Sequence, residues 1–306
     1  MTSISASSRV SIKRILYLTD FSEPSEAALP FVVSIARNYG SVVTALHILT
    51  PPSLVCSTAE ASDEEAVSEE ELAQSEMLKL DSQLSGVAHE TSLEWGGNIW
   101  ATVAQAIQDT RADLLVLGTR GRTGAEKLAL GSVAEEVFRK SVVPVLTIGP
   151  SISRGAHRYG EFHRVLIATD FEPSASAAAR YAISFAQESE ARLILLYVIR
   201  KRRGAPKSPP VGSIAEIMHR LSDMVPEDAE LYCRPEPVVE YGDSATSILR
   251  AAKDRGADLI VLGVHPGGLE LTQKIHLECA TAHKVILHST CPVLTAHSEG
   301  VREINR

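Results

Sequence analysis

Gly118, Gly121, Gly124 and Gly131 punctuate the stretch GTRGRTGAEKLALGS at 118–132, which follows the apolar run LLVL at 114–117 and closes on Ser132. A buried strand that runs into a glycine-rich loop and then a helix is a usual way to hold phosphate. Glycine at 118 and 121 lets main chain approach an oxyanion where a Cβ would intrude. Gly131 and Ser132 open the helical pattern VAEEVFRK, where amide N–H groups and a hydroxyl can turn toward an anion. The helix dipole favours that charge by roughly 0.3–1 kcal/mol, and charge-assisted hydrogen bonds add to it. Arg120 and Arg122 could add positive charge, although loop arginines are commonly just solvated. A purely structural glycine loop is the competing reading.

Two familiar phosphate motifs do not fit. No GKS or GKT follows a glycine at the Walker distance. The dinucleotide fingerprint belongs after a first strand, with an acidic residue about 20 positions on to hold a ribose, and this loop follows a fourth strand without such an acid.

The elements that must position the loop read as alternating strands and helices. Val/Ile/Leu runs predict strands at 13–19, 42–49, 88–94, 113–118 and 143–148, with helices near 23–39, 63–85, 98–110 and 126–140. Continuous apolar runs suit strands buried on both faces of a parallel sheet. Ala73, Met77, Leu80 and Leu84 share one helix face. Pro30 falls inside the first helix, where proline costs about 3 kcal/mol, so a kink or a late start is expected there. In such a sheet ligands bind beyond the carboxyl ends of the strands, where strand order reverses. Asp20 and Gly118 both fall on that edge. Asp20 also reads as an N-cap for a helix beginning near Pro24, and His47 as a histidine packed beside the sheet.

The chain contains this arrangement twice. RILYLTDFS at 14–22 matches RVLIATDFE at 164–172, an offset of 170 − 20 = 150 between Asp20 and Asp170. TALHIL (44–49) matches LILLYVI (193–199), RADLLVLG (111–118) matches GADLIVLG (256–263), and VVPVLTIG (142–149) matches TCPVLTAH (290–297). Four matches in one order mean duplication. The expected domains are 9–150 and 163–298, joined by the aperiodic linker SISRGAHRYGEF at 151–162.

The spacing Gly118, Gly121, Gly131, Ser132 resembles the G-2x-G-9x-G-[ST] signature of the nucleotide-binding subgroup of the universal stress protein family. The likeness extends to ILYLTDFS (15–22), LHI (46–48), ADLLVLGTRGRTG (112–124), LALGSVAEEV (128–137) and VPVLTI (143–148). It implies an α/β fold of two tandem open five-stranded parallel sheets with helices on both faces, Rossmann-like in plan. It further implies ATP, with ADP or AMP as alternatives and magnesium as an ion the site could also take. By the same resemblance Asp20 contacts the nucleoside, Ile48 and Leu117 line the base, and Gly118, Gly121, Gly131 and Ser132 surround the phosphates; Arg120 and Arg122 join the expected site only for the charge they could add. The final strands around 143–148 and 291–296 would pair as an intramolecular pseudo-dimer, and a homodimer is the further expectation.

The second copy breaks the motif. In GVHPGGLELTQKIHLECA at 263–280, Gly263 matches Gly118 but Pro266 stands for Gly121, and proline has no N–H to offer. Anchoring on Pro144 and Pro292 places Cys279 and Ala280 at the Gly131 and Ser132 positions. Triphosphate is therefore not expected there in the first copy's mode. His276, Cys279 and His283 would share a helix face if the helix starts early enough, but ordinary packing and surface positions explain them better than zinc. RKRRGAPK at 200–207 reads as a solvated loop and SDEEAVSEEE at 62–71 as a wet helix start.

Of 306 residues, 44% are hydrophobic and 22% charged, enough for ordinary cores without metals or disulfides. A net charge of −8 argues against nucleic acid as the main partner. No run approaches the ~18 apolar residues of a membrane span, and MTSISASSRV lacks the features of a signal peptide. Four cysteines without CxxC spacing suit a reducing compartment, so cytoplasm is expected. The function expected is a stress-response regulator that binds adenine nucleotide in its first half and acts on a protein partner as yet unknown. The alternatives are a slow ATPase or self-phosphorylating enzyme, and a nucleotide-free scaffold. No second carboxylate is placed by motif to hold magnesium or orient water, as fast hydrolysis requires.

Overall fold

Wholly buried Leu, Ile and Val runs set the architecture. The computed structural model describes residues 10–51, 63–119, 131–149, 151–152, 160–200, 211–230, 232–264 and 273–297. These form two compact units divided between Gly160 and Glu161. In the first, β1 (Arg14–Leu18), β2 (Val42–Leu49), β3 (His89–Trp95), β4 (Leu114–Gly118) and β5 (Val145–Ile148) pair in parallel in the order β3-β2-β1-β4-β5. In the second, β6 (Arg164–Thr169), β7 (Arg192–Ile199), β8 (Arg234–Tyr241), β9 (Leu259–Val264) and β10 (Val293–His297) repeat the plan as β8-β7-β6-β9-β10. The fold is thus the duplicated α/β arrangement expected, with parallel strands linked by helices. Leu114, Leu115 and Val116 of β4 are fully buried, each such side chain contributing about 1.5–3 kcal/mol. No helix among the described residues is long and apolar enough to cross a membrane.

The repeated ADL motif fixes the amino end of each sheet. The Asp113 carboxylate accepts hydrogen bonds from the amides of Lys13 (2.7 Å) and Arg14 (3.0 Å). Asp258 does the same for His163 (2.8 Å) and Arg164 (2.9 Å). Pinning β4 to β1 in this way sets the register that brings their carboxyl ends level, Leu18 opposite Leu117.

The helices follow the sequence with two adjustments. The helix Glu23–Tyr39 buries Ala27, Ala28, Phe31, Val32, Ile35 and Ala36, and Gly40 closes it in the left-handed region at φ 62°. It runs through Pro30 and starts at Glu23, so the late start does not occur. The helix Asp63–Leu84 buries Ala73, Met77, Leu80 and Leu84, the face its spacing predicts. The fourth helix is described from Ser132 to Lys140, and positions 126–130 of the expected span lie outside the described residues.

Candidate functional site

The switch in strand order between β1 and β4 opens a crevice beyond their carboxyl ends, and a tight turn builds its first wall. Phe21 adopts φ 59°, a conformation costing a bulky residue roughly 1–3 kcal/mol unless its surroundings hold it. The hydroxyl of Thr19 accepts the Phe21 amide at 3.0 Å. Asp20 Oδ1 accepts the Ser22 amide (3.1 Å) and the Ser22 hydroxyl (2.5 Å), and the Ser25 hydroxyl donates to the same oxygen. The N-cap of the helix is Ser22, not Asp20. Asp20 instead ties down the first turn from two residues upstream, because its carboxylate reaches the side chains of Ser22 and Ser25.

His47 packs as expected. It is buried, its Nδ1 donates to the Thr19 carbonyl at 2.7 Å, and its ring centroid lies 4.5 Å from that of Phe21. It also faces the crevice.

The second wall is the junction after β4. A Cβ at Gly118 would lie 2.6 Å from the Ser25 amide nitrogen and 2.7 Å from the Pro24 carbonyl carbon. The glycine is therefore demanded by the start of the first helix crossing over it, whatever else approaches. Thr119 donates its amide to the Ile148 carbonyl (2.9 Å) and accepts the Gly131 amide at its own carbonyl (2.8 Å). That second bond sets Gly131 beside the strand end. Gly131 is the N-cap of Ser132–Lys140 and has no side chain to cap it. Helix geometry then leaves the amides of Ser132, Val133 and Ala134 without intrahelical acceptors, directed outward.

One cleft of about 190 Å³ joins these walls. Of the sequence-predicted site residues, Asp20, Ile48, Leu117, Gly118, Gly131 and Ser132 all line it. Arg120, Gly121 and Arg122 lie outside the described residues. The structure adds Thr19, Ser25, His47, Ile99, Val103 and Thr119. Ile99 and Val103 are four apart on the helix Ile99–Thr110, a spacing that could have flagged them together. Apolar side chains thus come from the β2 side, and polar main chain from the β4 junction, so the cleft suits a ligand with a flat apolar part and an anionic end. Thr119 is fully buried, and its Oγ1 has no hydrogen-bond partner among the described residues.

The second half keeps the turn and loses the junction. Phe171 has φ 64°, its amide held by the Thr169 hydroxyl at 2.9 Å. Asp170 accepts the Glu172 amide at 3.1 Å, but Glu172 and Ala175 stand where Ser22 and Ser25 would donate hydroxyls. Tyr197 replaces His47 and stacks on Phe171 (5.0 Å, 22°), with the Arg220 guanidinium 3.9 Å over the same ring. Gly263 is again required by helix contact, since a Cβ would lie 2.4 Å from the Ser174 carbonyl carbon. The next helix begins at Gln273, 280 − 273 = 7 residues before Ala280. Cys279 and Ala280 therefore lie within a helix, where their amides serve i→i−4 bonds. Pro266 and the side chains of His276 and Cys279 are outside the described residues, as is the run 201–207. Arg200 donates to the Ser244 hydroxyl at 2.8 Å.

The model of the Universal stress protein family matches residues 11–149 and again 161–297. The chain belongs to the universal stress protein family. Universal stress protein MJ0531 of Methanocaldococcus jannaschii is 31% identical over 146 residues, 44% of this chain and 81% of the relative. Universal stress protein YxiE of Bacillus subtilis is 30% identical over 147 residues, 44% of this chain and 97% of its own. Each relative aligns with less than half of the chain, as a tandem universal stress protein requires. A universal stress protein structure from Archaeoglobus fulgidus shares the fold across 93% of this chain and 98% of its own, with a TM-score of 0.70 at 20% identity.

Proposed function

We propose that the first half of this universal stress protein binds an adenine nucleotide, ATP in the first instance and ADP or AMP as alternatives, and that occupancy regulates its stress-response interactions in the cytoplasm. One observation carries the reading. Asp20, Ile48, Leu117, Gly118, Gly131 and Ser132, from four separate segments, line a single cleft at the start of an uncapped helix. Ile48, Ile99, Val103 and Leu117 offer apolar surface to a base. The outward amides of Ser132, Val133 and Ala134 offer donors to phosphate, with the dipole aligned. Asp20 is the carboxylate on the cleft among the described residues, and its Oδ1 already accepts three donors. Magnesium, if it accompanies ATP, would then be held chiefly by phosphate oxygens and water. Self-association, as a homodimer or within the chain, belongs to the same reading.

The test uses the purified full chain. Bound nucleotide released by denaturation is identified by chromatography, and ATP, ADP and AMP are titrated calorimetrically with and without magnesium. Saturable heat lost in Gly131→Val supports the reading. Absence of both retained nucleotide and heat overturns it. Steady phosphate release, abolished by the same substitution, would make the protein an enzyme.

A further inference from the structure

We infer that His89 is a proton-operated latch, its imidazolium form tying the end of the helix Asp63–Leu84 to the start of β3 in the first half. The ring spans the turn between the two elements. Its Nδ1 lies 2.9 Å from the Val87 carbonyl oxygen and its Nε2 lies 3.0 Å from Asp81 Oδ1. Neither a carbonyl nor an ionised carboxylate can donate, so both bonds require a proton on each ring nitrogen. Neutral imidazole has one N–H and would set a lone pair against an oxygen at its other end. The Val87 carbonyl first, and then the Asp81 carboxylate, hold the imidazole above the ordinary histidine value, against the opposing effect of burial. A raised folded value means stabilisation that is full below the unfolded value near ~6.5 and lost as pH rises through the folded one. The latch is therefore shut in acid and open in alkali. Opening it loosens the last turn of the helix over the buried Leu80 and Leu84 and leaves the sheet intact.

Asp81 is the charged group bonded to the ring. Arg37, on the helix Glu23–Tyr39, meets the turn at Gly86, where a Cβ would lie 2.6 Å from its Nη2. Lys79 pairs with Glu76 at 2.7 Å along the helix, and Glu90, next to His89 on β3, is exposed. Val43, opposite His89 on β2, carries no charge. The second half supplies an internal control. Its Leu193 corresponds to Val43 and pairs with Pro235, so the sheet itself does not require an imidazole at this place in the register. An imidazole does meet a carboxylate there, His219 with Asp223 at 3.4 Å, but the two are four residues apart on one helix and largely exposed. That pair fastens no two elements together, whereas His89 and Asp81 do.

The experiment is an NMR titration of the full chain carrying histidine labelled with heavy nitrogen, His89 being assigned by its absence from the spectrum of His89→Gln. The expected ring bears a proton on both nitrogens near pH ~7 and titrates above ~6.5. Hydrogen exchange of the segments 78–84 and 89–93, corrected for intrinsic rate, is then compared near pH ~6 and pH ~9, either side of the ordinary histidine value. Protection in the wild type should fall roughly two- to fivefold at the higher pH, the scale of a part-exposed ion pair. In Asp81→Asn the side-chain amide can donate to the neutral ring, so the fall should vanish. It should vanish in His89→Gln as well, since glutamine does not titrate. A ring that titrates at or below ~6.5 overturns the latch, as does a single ring proton near neutrality or a wild type whose protection does not fall. A fall of equal size in all three chains overturns it too, because the titrating group would then lie elsewhere.

Discussion

The junctions after β4 and after β9 begin alike and end differently. Each strand closes on a glycine pressed against the first turn of its half's opening helix, at Gly118 and Gly263. Each faces a Thr-Asp-Phe turn with phenylalanine at positive φ. Beyond that point the described helix of the first half starts at Ser132 after Gly131, whereas the second half runs continuous helix from Gln273 to His288. The strained turn and the strand-end glycine therefore belong to the architecture of the fold, because they persist where the open helix start does not. On the proposed reading, an anion is held by the uncapped amides together with the hydroxyl of Ser132. The same reading predicts that helix extension in the second half removes that hold.

The largest effects should come from what the halves share. Gly118→Val and Gly263→Val each force a Cβ against main chain that cannot move aside, and each should destabilise its half by about 3 kcal/mol. Urea denaturation of both variants checks this, and a loss confined to Gly118→Val would break the equivalence. Next comes what separates them. Gly131→Val should weaken ATP binding more than tenfold, or about 1.4 kcal/mol, with little change in stability, since φ −60° and ψ 144° suit valine. Cys279→Val, at the matching position, should leave binding intact. Smaller is the difference between the two aspartates. Asp20→Ala strands the Ser22 amide and two hydroxyls and should cost about 1–2 kcal/mol, whereas Asp170→Ala removes one amide partner and should cost less than about 1 kcal/mol.

The smallest effect concerns acid. Asn98 and Asp243 cap equivalent helices, accepting the amides of Ala101 and Thr246 at 3.0 Å each. Either replaced by alanine should cost about 1 kcal/mol at neutral pH. The Thr246 amide, and then its hydroxyl, hold the Asp243 carboxyl below the ordinary carboxylate range. A depressed folded value means stabilisation that is full above the unfolded value near ~3.9 and lost as pH falls through the folded one. The gap between wild type and Asp243→Ala should therefore close in acid, while the gap for Asn98→Ala should stay constant. Melting curves across that range decide it.

Much of this was legible in the sequence because strands such as β1, β4 and β5 are buried on both faces and their apolar runs have no other use, whereas β3 is half-buried or exposed along its length. The duplication was legible because four blocks recur in order. The role of Gly118 was not, since local sequence cannot show that Pro24 and Ser25 cross directly over it. The structure gives that glycine a reason of its own, the close approach of a helix. Asp20 reads from sequence as an N-cap because acids favour that place, yet Ser22 lies nearer the helix and takes it. Positive φ at Phe21 and Phe171 is invisible in sequence, because phenylalanine rarely adopts it. Thr119 passes unnoticed for a related reason. A threonine following a strand is unremarkable until its hydroxyl is found buried with no hydrogen-bond partner among the described residues.

Calorimetric titration of ATP into the intact chain tests the central difference most directly, because it counts sites. The two junctions predict one molecule of ATP per chain, lost in Gly131→Val and retained in Cys279→Val. Two molecules per chain, or a single one that survives Gly131→Val, would contradict the account.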